Sequence, residues 1–300
     1  MAIINIGSIN VDHSYRVERF MQPGETLTCR HYARGLGGKG MNQSIALLRA
    51  NAEVCHLGAV GPGDAWVQGA IADTGIALND LVISSSLETG HAIIEVDAAG
   101  ENCILLYPGA NHALTAAHVS AALARHPHHR WVLTQNETSV VADAIELAYA
   151  AGRKVAFNPA PCDPSLAKLP LERLALLLVN EVEARQLSGC TGIAEAFTAL
   201  RLRCPQTLVV MTLGADGLWA ALGDQEWRLP APATNVVDTT GAGDTVTGYL
   251  LAGLDGGMDT QAALEFALQA AAITVSRHGA SASIPHRHEV PLQRTEQISL

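Results

Sequence analysis

The sequence predicts an α/β fold, a mostly parallel sheet covered by helices on both faces, and three observations carry that expectation. Short β-rich runs alternate with helical ones, the pattern of repeated βα units. The run Leu174 to Val179 is apolar throughout and too short to span a bilayer, so it reads as a buried strand. Three hundred residues at 48% hydrophobic supply core for one large or two small domains, and no separate domain is demanded.

In chain order, strand Ile3–Gly7 is followed by a helix over Asn42–Asn51, whose apolar positions begin at Ile45, Ala46, Leu47 and Leu48. Strand Val54–Ala59 and helix Asp64–Thr74 come next, then strand Trp131–Thr134 and helix Ser139–Ala151. Strands Val155–Phe157, Leu176–Val179 and Leu208–Thr212 complete the sheet. After Gly243, residues Asp244, Val246, Tyr249, Leu250, Leu251 and Leu254 recur at helical spacing. Two stretches, about 13–34 and 90–107, carry extended signals without helices. In the second, the turn Asp97-Ala98-Ala99-Gly100 separates arms rich in Ile and Leu, so both stretches are expected to form one small β-sheet.

Composition excludes several classes. A net charge of −10 with no basic cluster argues against a nucleic-acid surface. No apolar run has the length of a membrane span, and the first residues lack the basic region of a signal peptide. The six cysteines are scattered without a Cys-x-x-Cys pair and read as reduced thiols of a cytoplasmic protein. His126-Pro127-His128-His129 and His286-Arg287-His288 lack accompanying cysteines and read as surface histidines. Gly35-x-Gly37-x-x-Gly40 matches a dinucleotide fingerprint by letter only, since it lies roughly thirty residues beyond the first strand instead of directly after it.

Two glycine-rich runs carry chemistry. Residues 238–248 read Asp-Thr-Thr-Gly-Ala-Gly-Asp-Thr-Val-Thr-Gly, and residues 37–44 read Gly-Gly-Lys-Gly-Met-Asn-Gln-Ser. Each opens a helix, where backbone N–H groups lack partners and the helix dipole is positive, a setting for phosphate. Gly241, Ala242 and Gly243 form the expected cradle, small enough for close approach. Asp244 beside it reads either as a base for an attacking hydroxyl or as a helix N-cap.

Together with Gly7-Ser8-Ile9-Asn10-Val11-Asp12, Gly109-Ala110-Asn111, Asn158-Pro159, Asn180-Glu181-Val182-Glu183, Thr212-Leu213-Gly214 and Arg277-x-Gly279-Ala280, the two runs resemble the ribokinase (PfkB-type) family of sugar kinases, over about Ile3 to Pro285. The resemblance implies a ribokinase-like three-layer α/β/α domain spanning residues 1–300. It further implies that the small sheet is a lid over the sugar and a contact between two copies. The implied reaction transfers the γ-phosphate of ATP to the primary hydroxyl of a pentose, D-ribose first among them.

By the same resemblance Asp244 is the catalytic base and Gly241, Ala242 and Gly243 the anion hole. Asn10, Asp12, Gly38, Lys39, Asn42 and Glu137 contact the sugar. Asn180, Thr212, Gly214 and Gly217 meet the nucleotide, and Glu183 acts on Mg²⁺ through water. Asp238, Thr240, Thr274, Arg277, Gly279 and Ser283 hold a monovalent cation, K⁺. Met41 and Asn136 depart from the family pattern at positions that bear on the sugar pocket. A nucleoside kinase, an NAD-dependent oxidoreductase and a non-catalytic sensor are the alternatives; aromatics at 4%, with only Tyr15, Phe20, Tyr32 and Tyr107 near the small sheet, offer little to stack a base.

Overall fold

The computed structural model describes residues 2–291; Met1 and residues 292–300 of the expected domain lie outside the described residues. Strands β1 (Ala2–Ile6), β2 (Asn10–Arg16) and β3 (His31–Gly37) precede helix α1 (Lys39–Arg49), and β4 (Glu53–Val60), α2 (Ala65–Thr74) and β5 (Leu81–Ile83) follow. A hairpin of β6 (Gly90–Val96) and β7 (Asn102–Tyr107) leads to α3 (Ala116–Arg125), β8 (Trp131–Gln135), α4 (Val141–Ala150) and β9 (Lys154–Asn158). The rest comprises β10 (Leu176–Asn180), α5 (Glu181–Ser188), α6 (Ile193–Arg203), β11 (Leu208–Thr212), β12 (Leu218–Leu222), β13 (Gln225–Leu229), α7 (Ala242–Asp255) and α8 (Thr260–Val275).

The large sheet has the order β13-β12-β11-β10-β9-β8-β1-β4-β5, parallel from β11 to β5 and closed at one edge by the antiparallel β12 and β13. Successive strand residues face opposite layers. Ile3, Leu133, Leu178 and Val210 enter one core, with α1, α2, α7 and α8. Ile4, Val132, Leu177 and Val209 enter the other, with α3 to α6. Both faces are dry, which is why these strands read as continuous apolar runs.

The second sheet has the order β3-β2-β6-β7. Its first two strands, β2 and β3, run from Asn10 to Gly37, three residues beyond the expected 13–34 segment at each end, and take in Asn10 and Asp12. Arg34 of β3 lies over the ring of Trp66 in α2 at 4.0 Å, a cation–π contact that ties the small sheet to the body. On the free edge, β7 is exposed along its whole length, including Ile104 and Leu105.

Helix α1 starts at Lys39, three residues before the expected Asn42, and the reason is long-range. Its orphan amides are satisfied by residues far away in sequence: Lys39 N–H donates to Glu137 Oε2 (3.0 Å), Gly40 N–H to Ser8 Oγ (3.1 Å) and Met41 N–H to the Ser8 carbonyl (2.9 Å). Helix α1 then packs directly on α7. At their crossing a Cβ on Gly248 would lie 2.4 Å from Ala46 Cβ and 3.0 Å from Leu47 N, so only glycine allows this approach. Gly248→Ala is expected to lower stability by about 1–3 kcal/mol through overpacking, measured by urea denaturation; an unchanged midpoint would show that the helices can separate freely.

Candidate active site

The polar residues of the site stand where the parallel strands end. Ser8 follows β1, Gln135 and Glu137 close β8, Asn158 ends β9, Asn180 ends β10 and Thr212 ends β11, at the carboxyl edge where ligands of open α/β sheets bind. A cleft of about 220 Å³ opens there, between Lys39, Asn180, Glu183 and Thr212 on one side and Gly241, Gly243 and Asp244 on the other.

Asp244 is the third residue of α7 and does not cap it. The N-cap is Gly241, in the left-handed region at φ 79°, and the helix has no side-chain cap. The Asp244 carboxylate turns toward α1 instead, where Asn42 Nδ2 donates to Oδ2 (3.1 Å) and Gln43 Nε2 donates to Oδ1 (2.9 Å). Burial raises its pKa, opposed by the Lys39 charge and by these two hydrogen bonds. A carboxylate pushed upward in this way is a better proton acceptor near neutral pH.

Of the expected cradle, Gly241 and Gly243 line the cleft, and among the described residues the Gly243 amide makes no backbone hydrogen bond outside the helix. Ala242 departs from the expectation, because its N–H donates to the Thr239 carbonyl at 3.2 Å and closes the turn before the helix. Gly241 also packs on Ala280: a Cβ there would meet Ala280 Cα at 3.2 Å.

Gln43 extends the site inward. Its Nε2 also donates to Asn158 Oδ1 (3.0 Å), and its Oε1 accepts from Gln135 Nε2 (2.7 Å), which in turn donates to Asn5 Oδ1 (3.0 Å). Asn5 Nδ2 donates to the Gly40 carbonyl and to Ser44 Oγ. Asn5, Gln43 and Gln135 are fully buried, so the chain of amides fixes Asp244 from inside the protein. Sequence reasoning named Asn42 and missed Gln43, although the two are adjacent in one motif. Only the α1–α7 crossing shows that both reach the same carboxylate.

The expected sugar residues meet around the small sheet's inner end. Asn10 Oδ1 accepts from Asn111 Nδ2 (2.8 Å), and Asn111 also bonds the Ile9 backbone in both directions, fixing where β2 begins. Asp12 sits inside β2, not in a turn, and its carboxylate fills the space that a Cβ on Gly37 would occupy. Burial and the negative charges of Glu137 and Asp244 raise Asp12 to about 7. Gly38 has φ 92° beside the Asn10 amide, a backbone suited to glycine. Glu137 accepts from Ser8 Oγ and from Lys39 N–H, so it lies at the start of α1. Lys39 itself is raised by Asp244, Glu137 and Glu183 against the opposing effect of burial.

The two departures fall elsewhere. Met41 is wholly buried in the apolar core, and Asn136 Nδ2 donates to the Pro161 carbonyl (2.7 Å) and to Asp163 Oδ2 (3.1 Å). Neither lines the cleft.

On the nucleotide side, Asn180 and Glu183 form a reciprocal capping box at α5: Glu183 N–H donates to Asn180 Oδ1 (2.8 Å) and Asn180 N–H to Glu183 Oε2 (2.9 Å). Burial raises the Glu183 carboxyl, which faces the cleft. Thr212 lines the cleft, whereas Gly214 and Gly217 lie in the turn joining β11 to β12. A Cβ on Gly217, φ 93°, would stand 2.0 Å from the Leu229 carbonyl oxygen.

The expected cation loop is assembled around Asp238. Its Oδ1 accepts from Thr240 N–H (2.9 Å) and its Oδ2 from Gly279 N–H (2.9 Å). Despite burial, those bonds hold the Asp238 carboxyl below its ordinary value. Ser283 Oγ donates to the Ala280 carbonyl (2.7 Å), the Thr274 carbonyl accepts from Arg277 N–H (3.1 Å), and Thr274 Oγ1 bonds the Ala270 carbonyl and Thr245.

Residues 2–287 match the pfkB family of carbohydrate kinases. The chain belongs to that family. Among its relatives is the ribokinase of Staphylococcus aureus strain COL, 35% identical over 306 residues and covering 96% of this chain and 98% of that protein. A ribokinase of Haemophilus influenzae is 34% identical, covering 95% of each chain. The crystal structure of ribokinase from Cryptococcus neoformans in complex with ADP superposes with a TM-score of 0.84 at 32% identity, covering 96% of this chain and 98% of the other. Ribokinase of Arabidopsis thaliana complexed with ribose and ATP superposes with a TM-score of 0.83 at 26% identity, covering 96% of each chain. As a pfkB-family kinase the chain is a sugar phosphotransferase with a ribokinase-like fold, in accord with the sequence.

Asp12 gives the site a pH signature. Its pKa of about 7 lies above the ordinary 3.8, so between those values the folded state keeps a proton that the unfolded chain releases. Stability therefore falls as pH rises through this window, by at most about 4 kcal/mol at 1.36 kcal/mol per unit. Urea unfolding of wild type should lose stability between about pH 5 and 7.5 more steeply than unfolding of Asp12→Asn. Parallel profiles for the two proteins would contradict the raised value.

Proposed function

We propose that the chain transfers the γ-phosphoryl group of ATP to the primary hydroxyl of a pentose, D-ribose giving D-ribose 5-phosphate. The observation that carries this reading is the Asp244 carboxylate, buried at the start of α7 beside free backbone amides and held by Asn42 and Gln43. The names of the relatives, and the ribose and ATP bound to the Arabidopsis protein, support the substrates.

Phosphoryl transfer asks mainly for positioning and charge stabilisation. Asp244 orients the acceptor hydroxyl and takes its proton. The Gly241 and Gly243 amides and the Lys39 ammonium meet the charge on the transferring group. Asn10, Asp12, Gly38, Asn42 and Glu137 hold the sugar; Asn42 Oδ1 is buried without a hydrogen-bond partner among the described residues, an acceptor left for a hydroxyl. Asn180, Thr212 and the turn at Gly214 and Gly217 are the nucleotide side.

The donor sets fit two cations. Glu183 keeps one carboxylate oxygen beyond its capping bond and faces the cleft, suited to Mg²⁺ held through water, which supplies charge neutralisation on the phosphates when bound. Asp238 is anchored between two loops by the Thr240 and Gly279 amides, and the carbonyls of Thr240, Thr274, Arg277 and Gly279 with the Ser283 hydroxyl, from the same stretches of chain, would add an oxygen set suited to K⁺. That loop touches Gly241 through Ala280, so the cation would set the cradle's backbone.

The small sheet acts as a lid, excluding water, and its exposed β7 edge with Ile104 and Leu105 is the contact to a second copy. Six free cysteines fit a reducing cytoplasm. Among the described residues no helix is long and apolar enough to cross a membrane.

ADP release from ATP-Mg²⁺ across pentoses, hexoses, sugar phosphates and nucleosides should be selective for ribose and faster in K⁺ than in Na⁺. In the same assay Asp244→Asn should lose at least about 10²-fold in kcat while calorimetry still detects sugar binding. Retained turnover in that variant removes Asp244 from the reaction. Light scattering should give a dimer that Leu105→Asp converts to monomer; a wild-type monomer refutes the lid contact.

A further inference from the structure

The amino-terminal edge of the large sheet, opposite the catalytic edge, carries a second cluster. Cys55 lies near the start of β4, Asp80 directly precedes β5, and His126 caps the carboxyl end of α3. Cys55 Sγ is 2.8 Å from Asp80 Oδ2 and 3.1 Å from His126 Nε2, and that nitrogen is 2.8 Å from the same Asp80 oxygen. Cys55 and Asp80 are buried. His126 is 22% exposed, leaving a path from solvent.

We propose that Cys55, Asp80 and His126 bind a divalent cation of borderline softness, Zn²⁺ in the first instance. Thiolate, imidazole and carboxylate are the donor types that Zn²⁺ takes, and three different segments deliver them to one point. In tetrahedral coordination with bonds of about 2.1 Å, ligand atoms stand roughly 3.4 Å apart. The present separations of 2.8 to 3.1 Å need outward adjustments of roughly 0.3 to 0.6 Å, as the ion replaces the proton shared among the three atoms.

Two neighbours complete the case. Arg125 pairs with Asp80 Oδ1, so the carboxylate is oriented from its far side as a ligand carboxylate usually is. The imidazole of His129 is buried, makes no side-chain hydrogen bond among the described residues, and has its ring centroid 4.7 Å from that of His126. Its ring is a candidate donor for the fourth position, which water otherwise fills. The His126–His129 run looked like surface histidines because its cysteine lies 71 residues away in sequence. Binding releases the Cys55 thiol proton to solvent and forms the Zn–S bond, with no redox step. The site joins β4, the entry to β5 and the end of α3, at the opposite edge of the sheet from the expected sugar and nucleotide residues.

The test uses the full-length chain stripped with a chelator and refilled with Zn²⁺ or Co²⁺, beside Mg²⁺ as control. The wild type should withdraw one equivalent of Zn²⁺ per chain from a chromophoric chelator. Its Co²⁺ form should show a thiolate-to-metal charge-transfer band and the intense visible bands of a tetrahedral ion. Cys55→Ser should abolish the charge-transfer band, and His126→Ala should weaken Zn²⁺ binding by more than about 100-fold, beyond the roughly 10–100-fold loss seen when only supporting groups are removed. Zn²⁺ uptake that Cys55→Ser leaves unchanged, or a Co²⁺ spectrum of wild type without the thiolate band, overturns the proposal. The wild-type spectrum decides alone if the variants do not fold.

Discussion

A carboxylate removed from water needs hydrogen-bond donors, and Asp244 obtains its donors from a helix 201 and 202 residues earlier in sequence. The geometry of the site follows from that pairing. The Asn42 and Gln43 amides can reach Asp244 only because α1 and α7 cross closely at Gly248. Helix α1 in turn is positioned by Ser8 and Glu137, which satisfy its first amides from the ends of β1 and β8. The sheet thus sets the helix, the helix sets the carboxylate, and the buried amides of Asn5 and Gln135 hold Gln43, the donor to Asp244 Oδ1, in place.

The same neighbourhood concentrates negative charge. Asp12, Glu137, Asp244 and Glu183 are all raised by burial, and Lys39 is the cation that faces three of them. Burial makes the charged forms of these carboxylates more costly, and such a site favours ligands that donate hydrogen bonds and bring cations. A polyol and a metal–nucleotide complex are ligands of that kind.

Much of the fold was legible because parallel strands covered on both faces must be apolar at nearly every position, and this chain's are. Helix starts were less legible. The expected Asn42 start for α1 rested on where apolar spacing begins, whereas the real start depends on acceptors from Ser8 and Glu137. Met41 and Asn136 looked like pocket residues from their place beside motif positions. In space one points into the core and the other fastens the loop at Pro161, because neighbours in sequence on a helix or after a strand face different directions.

The sequence by itself determined the family, the layered α/β architecture and the residue types that phosphoryl transfer requires, since all three are written in local spacing: a glycine run at a helix start, an aspartate beside it, an amide-rich motif opening another helix. It left Asp244 open between cap and base, and could not assign Gln43, Ala242 or the partners of His126. Tertiary structure removed the cap reading of Asp244 and gave the others their partners. Which donor a buried carboxylate finds, which amide a turn consumes and which cysteine meets a histidine depend on chain segments brought together only by packing, and hydrogen-bond geometry at 3 Å leaves no trace in the order of residues.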